Sequence, residues 1–171
     1  MKIILMGYMG CGKSTIARFL AKSKSLTLID LDYYIEEKEH LPIKEIFSTK
    51  GEIYFRLQES IYLKEILETK DNYVLSLGGG TPCYANNMNA ILKSKIPSIY
   101  LRANIPTLVN RLEKEKSSRP LIADLTDEKL IEYIGKHLFE RAPFYEQSNF
   151  KINVNGKSVL EISSEIEIAL H

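Results

Sequence analysis

Short apolar runs alternate with amphipathic stretches along this chain of 171 residues. The run KIILM at residues 2–6 predicts a buried strand. Glycines follow, and then a helical pattern starts at about Lys13 with Ile16, Phe19 and Leu20 on one face. Residues 26–30 read as a second strand. A helical stretch at 33–39 breaks near Pro42 and resumes at 43–47 and 52–68. In the last of these, Ile53, Leu57 and Ile61 are spaced four apart and predict an inward stripe. Residues 73–77 form a third predicted strand, ending in Gly78-Gly79-Gly80. A helix is expected at 86–93, a strand at 98–101 and a helix at 105–113, which leads into the polar segment KEKSSRP. Thr126 is placed to cap a helix carrying Leu130, Ile134 and Leu138. A fifth strand at 150–154 and an amphipathic helix at 158–169 complete the pattern. There is no repeat, low-complexity tract or linker, so residues 1–171 read as one domain. Apolar strands alternating with helices predict a three-layer α/β/α fold with a five-stranded parallel sheet. Ligands of such sheets gather beyond the C-terminal strand ends, here after residues 6, 30, 77 and 101.

Composition narrows the function classes. Apolar residues are 44% and charged residues 26%, as in a globular domain with a core of its own. Lys plus Arg is 23 against 22 for Asp plus Glu, a net charge of +1. That balance argues against general binding of nucleic acid or an anionic membrane. The cysteines, Cys11 and Cys83, fit neither a disulfide framework nor a zinc pattern. No stretch approaches the roughly 18 apolar residues of a membrane span, and the apolar start is broken early by Gly7 and Gly10. A cytoplasmic protein is expected. The histidines are isolated, and the tyrosines do not cluster as a base-stacking surface.

The strongest motif follows the first strand: Gly7-Tyr8-Met9-Gly10-Cys11-Gly12-Lys13-Ser14, then Thr15. It matches G-x-x-x-x-G-K-[ST] in the order strand, loop, helix. A loop that wraps a polyphosphate must turn several backbone N–H groups inward, which glycines permit. The helix that follows adds unpaired N–H groups and the positive end of its dipole. Lys13 supplies a cation between the β- and γ-phosphates, and the Ser14 hydroxyl can ligate Mg²⁺. A plain glycine turn explains the glycines but not Lys13-Ser14. Cys11 reads as a small loop residue contributing its N–H, or as a reactive thiol at a helix N-terminus.

The second strand ends in Asp30-Leu31-Asp32. The two carboxylates share a face if the strand continues through Asp32. Asp30 could hold waters of a Mg²⁺ shell, and Asp32 could take the proton of a hydroxyl; either could instead cap the next helix. Three arginines each have an ordinary reading. Arg56 could pair with Glu52 or Glu59, Arg119 could be solvated before Pro120, and Arg141 could favour the C-terminus of a helix that ends before it. Together with Asp32 they suggest an acceptor with a hydroxyl and an anionic group, because guanidinium grips a carboxylate bidentately. The glycines at 78–80 would let a ligand approach the backbone. No acidic residue closes the third strand, so metal binding would rest on Ser14, Asp30 and the phosphates. The segment 114–119 has the composition of a lid that could bring Arg119 to a transferring phosphoryl group.

This set resembles the shikimate kinase family. The matching pieces are GYMGCGKST, DLDYYIEE, YFRLQE, SLGGG, SSRPL and RAPFYE, in that order nearly end to end. The resemblance implies a P-loop kinase that moves the γ-phosphoryl group of ATP to the 3-hydroxyl of shikimate, with Mg²⁺. It implies that Gly10, Cys11, Gly12, Lys13, Ser14 and Thr15 hold the phosphates, that Ser14 and Asp30 serve the metal, and that Asp32 is the base. It further implies that Arg56 and Arg141 clamp the shikimate carboxylate beside Gly79 and Gly80. Arg119 would be the lid arginine and Arg111 the adenine-packing one, with further adenine contacts around Asn155. A helical part at about 31–65 would bind shikimate, and a lid would span about 112–125. Family members act in aromatic amino-acid biosynthesis and are typically cytoplasmic and often monomeric.

Two other readings remain open. Another small-molecule kinase, for gluconate or a nucleoside monophosphate, would share much of this chemistry. A nucleotide-dependent switch would need Lys13 but not Asp32, Arg56 or Arg141.

Overall fold

The apolar runs pair side by side. β1 (Lys2–Met6), β2 (Thr27–Asp30), β3 (Tyr73–Ser76), β4 (Ser98–Arg102) and β5 (Phe150–Asn153) form one parallel sheet in the order β2-β3-β1-β4-β5. The computed structural model describes residues 1–116 and 121–170. The central strands are buried along nearly their whole length. Helices cover both faces, which is why these strands read as continuous apolar runs rather than alternating ones.

The flanking helices are α1 (Lys13–Ser23), α2 (Leu31–Glu39), α3 (Ile43–Glu68), α4 (Asn87–Lys93), α5 (Ile105–Glu113), α6 (Asp127–Tyr145) and α7 (Val159–Ala169). A 3₁₀ turn at Thr81–Cys83 follows the glycines. Helix α1 packs on α7, α2 on α3 and α5 on α6. The expected cap at Thr126 is present, with its hydroxyl accepting from Lys129 N–H. At Ser158 a reciprocal pair with Glu161 closes the start of α7. Among the described residues, no helix is long and apolar enough to cross a membrane.

Register sets the site. Leu5 on β1 and Asp30 on β2 both stand opposite Ser76 on β3. The three strands therefore stop at one level, and the loops that follow them meet.

Helices α2 and α3 are tied together by polar contacts, most of them partly buried. The Glu36 carboxylate accepts Ile43 N–H at 2.8 Å, where α3 begins. Glu39 accepts from the hydroxyls of Tyr62 and Tyr54, each at 2.7 Å, and from Lys50 at 2.9 Å. Those donors, Tyr62 first, hold its carboxyl down to about 2.

The expected division into two helical pieces is present within α3, which breaks at Gly51, where φ of 84° and ψ of 169° are not helical. Three expectations are corrected. Phe19 lies at the exposed edge of α1, whereas Ile16 and Leu20 are buried. The stripe of Ile53, Leu57 and Ile61 faces outward, with exposures of 89%, 56% and 46%. The inward face carries Phe55, Glu59, Leu63 and Ile66 instead. Periodicity of apolar residues alone picked the wrong side because a carboxylate, Glu59, occupies the core-facing row. Finally, α6 continues through Arg141 and Pro143 to Tyr145. A proline removes one helical hydrogen bond but does not force the helix to stop.

The outward stripe generates a stability prediction. Ile53→Ser should change the unfolding free energy by less than about 0.5 kcal/mol. Leu63→Ala should cost roughly 2–5 kcal/mol, as buried leucine truncations do. Urea titration of both variants checks this; a large loss at Ile53 would contradict the assignment.

Candidate active site

The loop between β1 and α1 wraps one end of a cavity of about 480 Å³. Gly10 and Gly12 adopt positive φ, 80° and 101°, and Gly12 is the N-cap of α1. The start of α1 therefore points its unpaired N–H groups into the cavity with the positive dipole end behind them. Gly10, Cys11, Gly12, Lys13, Ser14 and Thr15 all line it. Lys13 is buried and folds back onto the loop, its Nζ donating to the carbonyls of Gly7 at 2.8 Å and Tyr8 at 3.0 Å. A loop of this shape with a cation inside it fits a polyphosphate.

The Cys11 N–H donates to the Tyr8 carbonyl at 3.2 Å and closes the turn, while its thiol is buried 3.7 Å from Lys13 Nζ. Arg111 on α5 reaches over the loop and donates to the carbonyls of Gly10 at 3.2 Å and Cys11 at 3.0 Å. It forms the far wall of the cavity together with Lys157 and Val159 at the start of α7. That is the region where the resemblance implies that adenine packs.

Asp30 and Asp32 line the opposite wall. The strand ends at Asp30, so the shared-face argument for an extended pair does not hold. Asp30 is the N-cap of α2, accepting from the N–H groups of Asp32 at 3.1 Å and Tyr33 at 3.3 Å. Asp32 sits in the first turn of α2. Burial, then the negative charges of Asp30 and Glu59, lift its carboxyl to about 6 against the pull of Lys13 and Arg56. That places its protonation change close to neutrality, where a proton acceptor is most useful. Among the described residues, no group of three or more His, Cys, Asp or Glu is placed to hold a metal. The donor set at the cavity suits Mg²⁺, which is commonly held by one or two protein oxygens, phosphates and water; here those oxygens would be Ser14 and Asp30.

The glycine turn separates this cavity from the arginines. A Cβ at Gly78 would lie 2.8 Å from Asp32 Oδ1, and one at Gly80 would lie 2.9 Å from Arg56 Nη2. Only glycine allows both side chains to close in on the backbone. Arg56 pairs with Glu59 at 2.9 Å and lies 3.9 Å above the Tyr84 ring. Glu59, almost wholly buried, also accepts from Thr81 Oγ1 at 2.7 Å, and Asn87 Nδ2 donates to the Thr81 carbonyl at 2.9 Å. Arg141 stands beside Gly79 and 5.7 Å from the Tyr8 ring. Arg56 and Arg141 both act on the Cys83 thiol, which burial nevertheless pushes up to about 11. Two guanidiniums thus converge on one side of the turn.

Of the residues singled out from sequence, the phosphate-loop set, Asp30, Asp32, Gly79 and Arg111 line the cavity. Arg56, Gly80 and Arg141 border it across the glycine turn. Arg119 lies outside the described residues. Thr81, Asn87, Tyr8 and Tyr145 were not singled out, and the role of Glu59 was seen only as one possible partner of Arg56. Tyr8 lies within the phosphate-loop motif and Tyr145 within RAPFYE, but neither motif states their roles; Thr81 and Asn87 lie in no motif, and their positions depend on packing around the 3₁₀ turn.

The raised carboxyl of Asp32 has a measurable cost. A group that binds its proton more tightly when folded weakens folding once pH exceeds its unfolded value near 4, and does so fully above about 6. Asp32→Asn should therefore raise the melting temperature of the free protein by roughly 3–6 °C at pH 7.5. The gain should vanish toward pH 4. An unchanged or lowered melting temperature at pH 7.5 would contradict the electrostatic reading.

Comparison with known proteins places this architecture. The shikimate kinase family model matches residues 9–171. A shikimate kinase of Flavobacterium johnsoniae is 48% identical over 165 residues, covering 96% of each chain. The crystal structure of a shikimate kinase from Bacteroides thetaiotaomicron superposes with a TM-score of 0.92 at 34% identity, covering 99% of this chain and 97% of that one. A shikimate kinase from Acinetobacter baumannii in complex with shikimate gives 0.86 at 29% identity, covering 99% and 92%. With this sheet order, this phosphate loop and full-length likeness, the chain belongs to the shikimate kinase family.

Proposed function

We propose that this chain transfers the γ-phosphoryl group of ATP to the 3-hydroxyl of shikimate, giving ADP and shikimate 3-phosphate. The observation that carries the reading is the placing of Asp32 in one cavity with the phosphate loop, while Arg56 and Arg141 stand just across Gly78-Gly79-Gly80. Shikimate offers a ring hydroxyl to the first and a carboxylate to the other two. The solved Acinetobacter relative, described as a complex with shikimate, supports the same acceptor here.

In this mechanism the backbone of the loop from Gly10 to Thr15 grips the phosphates. Lys13 leaves the carbonyls of Gly7 and Tyr8 to lie against the β- and γ-phosphates, where it offsets the charge that builds on the transferring group. Asp32 accepts the proton of the 3-hydroxyl as its oxygen bonds to the γ-phosphorus and the bond to the β-phosphate oxygen breaks. Mg²⁺, when bound through Ser14 and waters held by Asp30, supplies further charge neutralisation of the phosphates. Arg56, held by Glu59, and Arg141 fix the acceptor by its carboxylate, which supplies orientation rather than chemistry. Arg111 and the start of α7 bound the side assigned to adenine. By the resemblance, the helical part at about 31–65 holds the acceptor. We assign the enzyme to the cytoplasm as a monomer in aromatic amino-acid biosynthesis.

A coupled ADP-release assay over shikimate, gluconate and a nucleoside monophosphate tests the acceptor. Turnover with shikimate alone is expected; turnover with gluconate alone would replace the reading, and ATP binding without acceptor-dependent turnover would favour a switch. Asp32→Asn should keep ATP binding but lower kcat by roughly 10²-fold or more. For the wild type, kcat/KM for shikimate should fall with an apparent pKa near 6 as pH decreases, and a profile flat to pH 5 would remove Asp32 as the base. Arg141→Ala should raise the KM for shikimate roughly tenfold or more while changing that for ATP little. Equal changes in both would assign Arg141 to the scaffold.

A further inference from the structure

Tyr145, the last residue of α6, is completely buried at the base of the glycine turn. Its hydroxyl donates to the carbonyl oxygen of Gly79. A carbonyl cannot donate, so the phenolic proton is committed to that bond and the oxygen lone pairs face elsewhere. Arg141 stands beside the same glycine: its Nη1 would lie 3.4 Å from a Cβ at Gly79. Arg141 and Tyr145 are four residues apart on one helix and so share a face. Burial pushes the phenol well above its ordinary value, which keeps the donor proton in place through the whole working range of pH. The ring is fixed from behind by Tyr100 on β4, with centroids 5.1 Å apart.

The Tyr145 hydroxyl therefore holds the glycine half of the proposed acceptor clamp, and the arginine half stands against that same glycine. The hydroxyl fixes the direction of the Gly79–Gly80 peptide, because a trans peptide points its N–H opposite to its carbonyl. The Gly79 backbone held in this way also bounds the Arg141 guanidinium beside it. Neither Gly79 nor Arg141 has another rigid side-chain donor or acceptor described at this point; the Tyr8 ring bounds Arg141 only by its face.

We propose that Tyr145 is a positioning residue for acceptor binding: its hydroxyl sets the Gly79–Gly80 peptide and the Arg141 guanidinium relative to each other. This rests on the reading that Arg141 and the glycine turn hold the shikimate carboxylate and ring. Tyr145 touches no reacting atom and acts through these two groups.

Tyr145→Phe removes the hydroxyl and keeps the ring against Tyr100. The expected result is a KM for shikimate raised about tenfold, with the KM for ATP within about twofold of wild type. In an Arg141→Ala background the same substitution should add less than about threefold, because the residue it positions is gone. An unchanged shikimate KM, a parallel change in both KM values, or effects that multiply fully with Arg141→Ala would each overturn the proposal. If the wild type does not turn over shikimate, the substrate reading fails by itself. The crystal structure of Tyr145→Phe then decides the positioning claim. A displaced Arg141 guanidinium or a turned Gly79–Gly80 peptide supports it, and an unmoved pair overturns it.

Discussion

The level at which three parallel strands stop governs everything else in this molecule. Leu5, Ser76 and Asp30 form one row across β1, β3 and β2. The segments that follow carry different chemistry: a glycine loop leading to Lys13, a triple glycine, and the first turn of α2, which sets Asp32 beside Asp30. A slip of one residue between any two strands would turn the wrong side chains toward the core and separate these groups. The apolar burial of β1, β3 and β4 is what prevents such a slip. The core thus sets the relative placement of groups that themselves contribute little to folding.

Some of those groups oppose folding. Asp32 is held where its charge is disfavoured by burial and by Asp30 and Glu59. Glu59 is placed in the core-facing row of α3, where an apolar residue would pack more simply. Its carboxylate is satisfied by Arg56 and Thr81, so the buried charge is paired rather than stranded. The same contacts keep Arg56 against Gly80 and over Tyr84. Polar order at this end of the sheet therefore comes from a chain of buried partners, not from solvent-exposed ion pairs. The hub at Glu39 does the same at the far end of α2 and α3, where its partners hold the carboxyl ionised to low pH.

Much of this was legible in the residues alone. The five strands and the long helices among the described residues follow from apolar runs, caps and glycine punctuation, and the phosphate loop is specific because Lys13-Ser14 sits where a strand must turn into a helix. The errors have physical causes. The outward stripe on α3 looked like a core face because Ile53, Leu57 and Ile61 are apolar, whereas the true inner face includes a carboxylate that burial statistics would put in water. Arg141 looked like a residue beyond a helix because Pro143 resembles a stop; the helix tolerates it and carries Arg141 on the same face as Tyr145. The roles of Thr81, Asn87 and Tyr145 were invisible for a different reason. They act through contacts between elements distant in sequence, which no local pattern encodes.

The central claim is that this arrangement couples a triphosphate to an acceptor alcohol rather than to water. The most direct measurement is phosphorus NMR of the full-length protein with ATP, Mg²⁺ and shikimate. A single new phosphate-ester resonance, coupled to the ring proton at the 3-position and growing one-to-one with ADP, is the expected result. ADP accompanied only by inorganic phosphate, with shikimate unaltered, would contradict it.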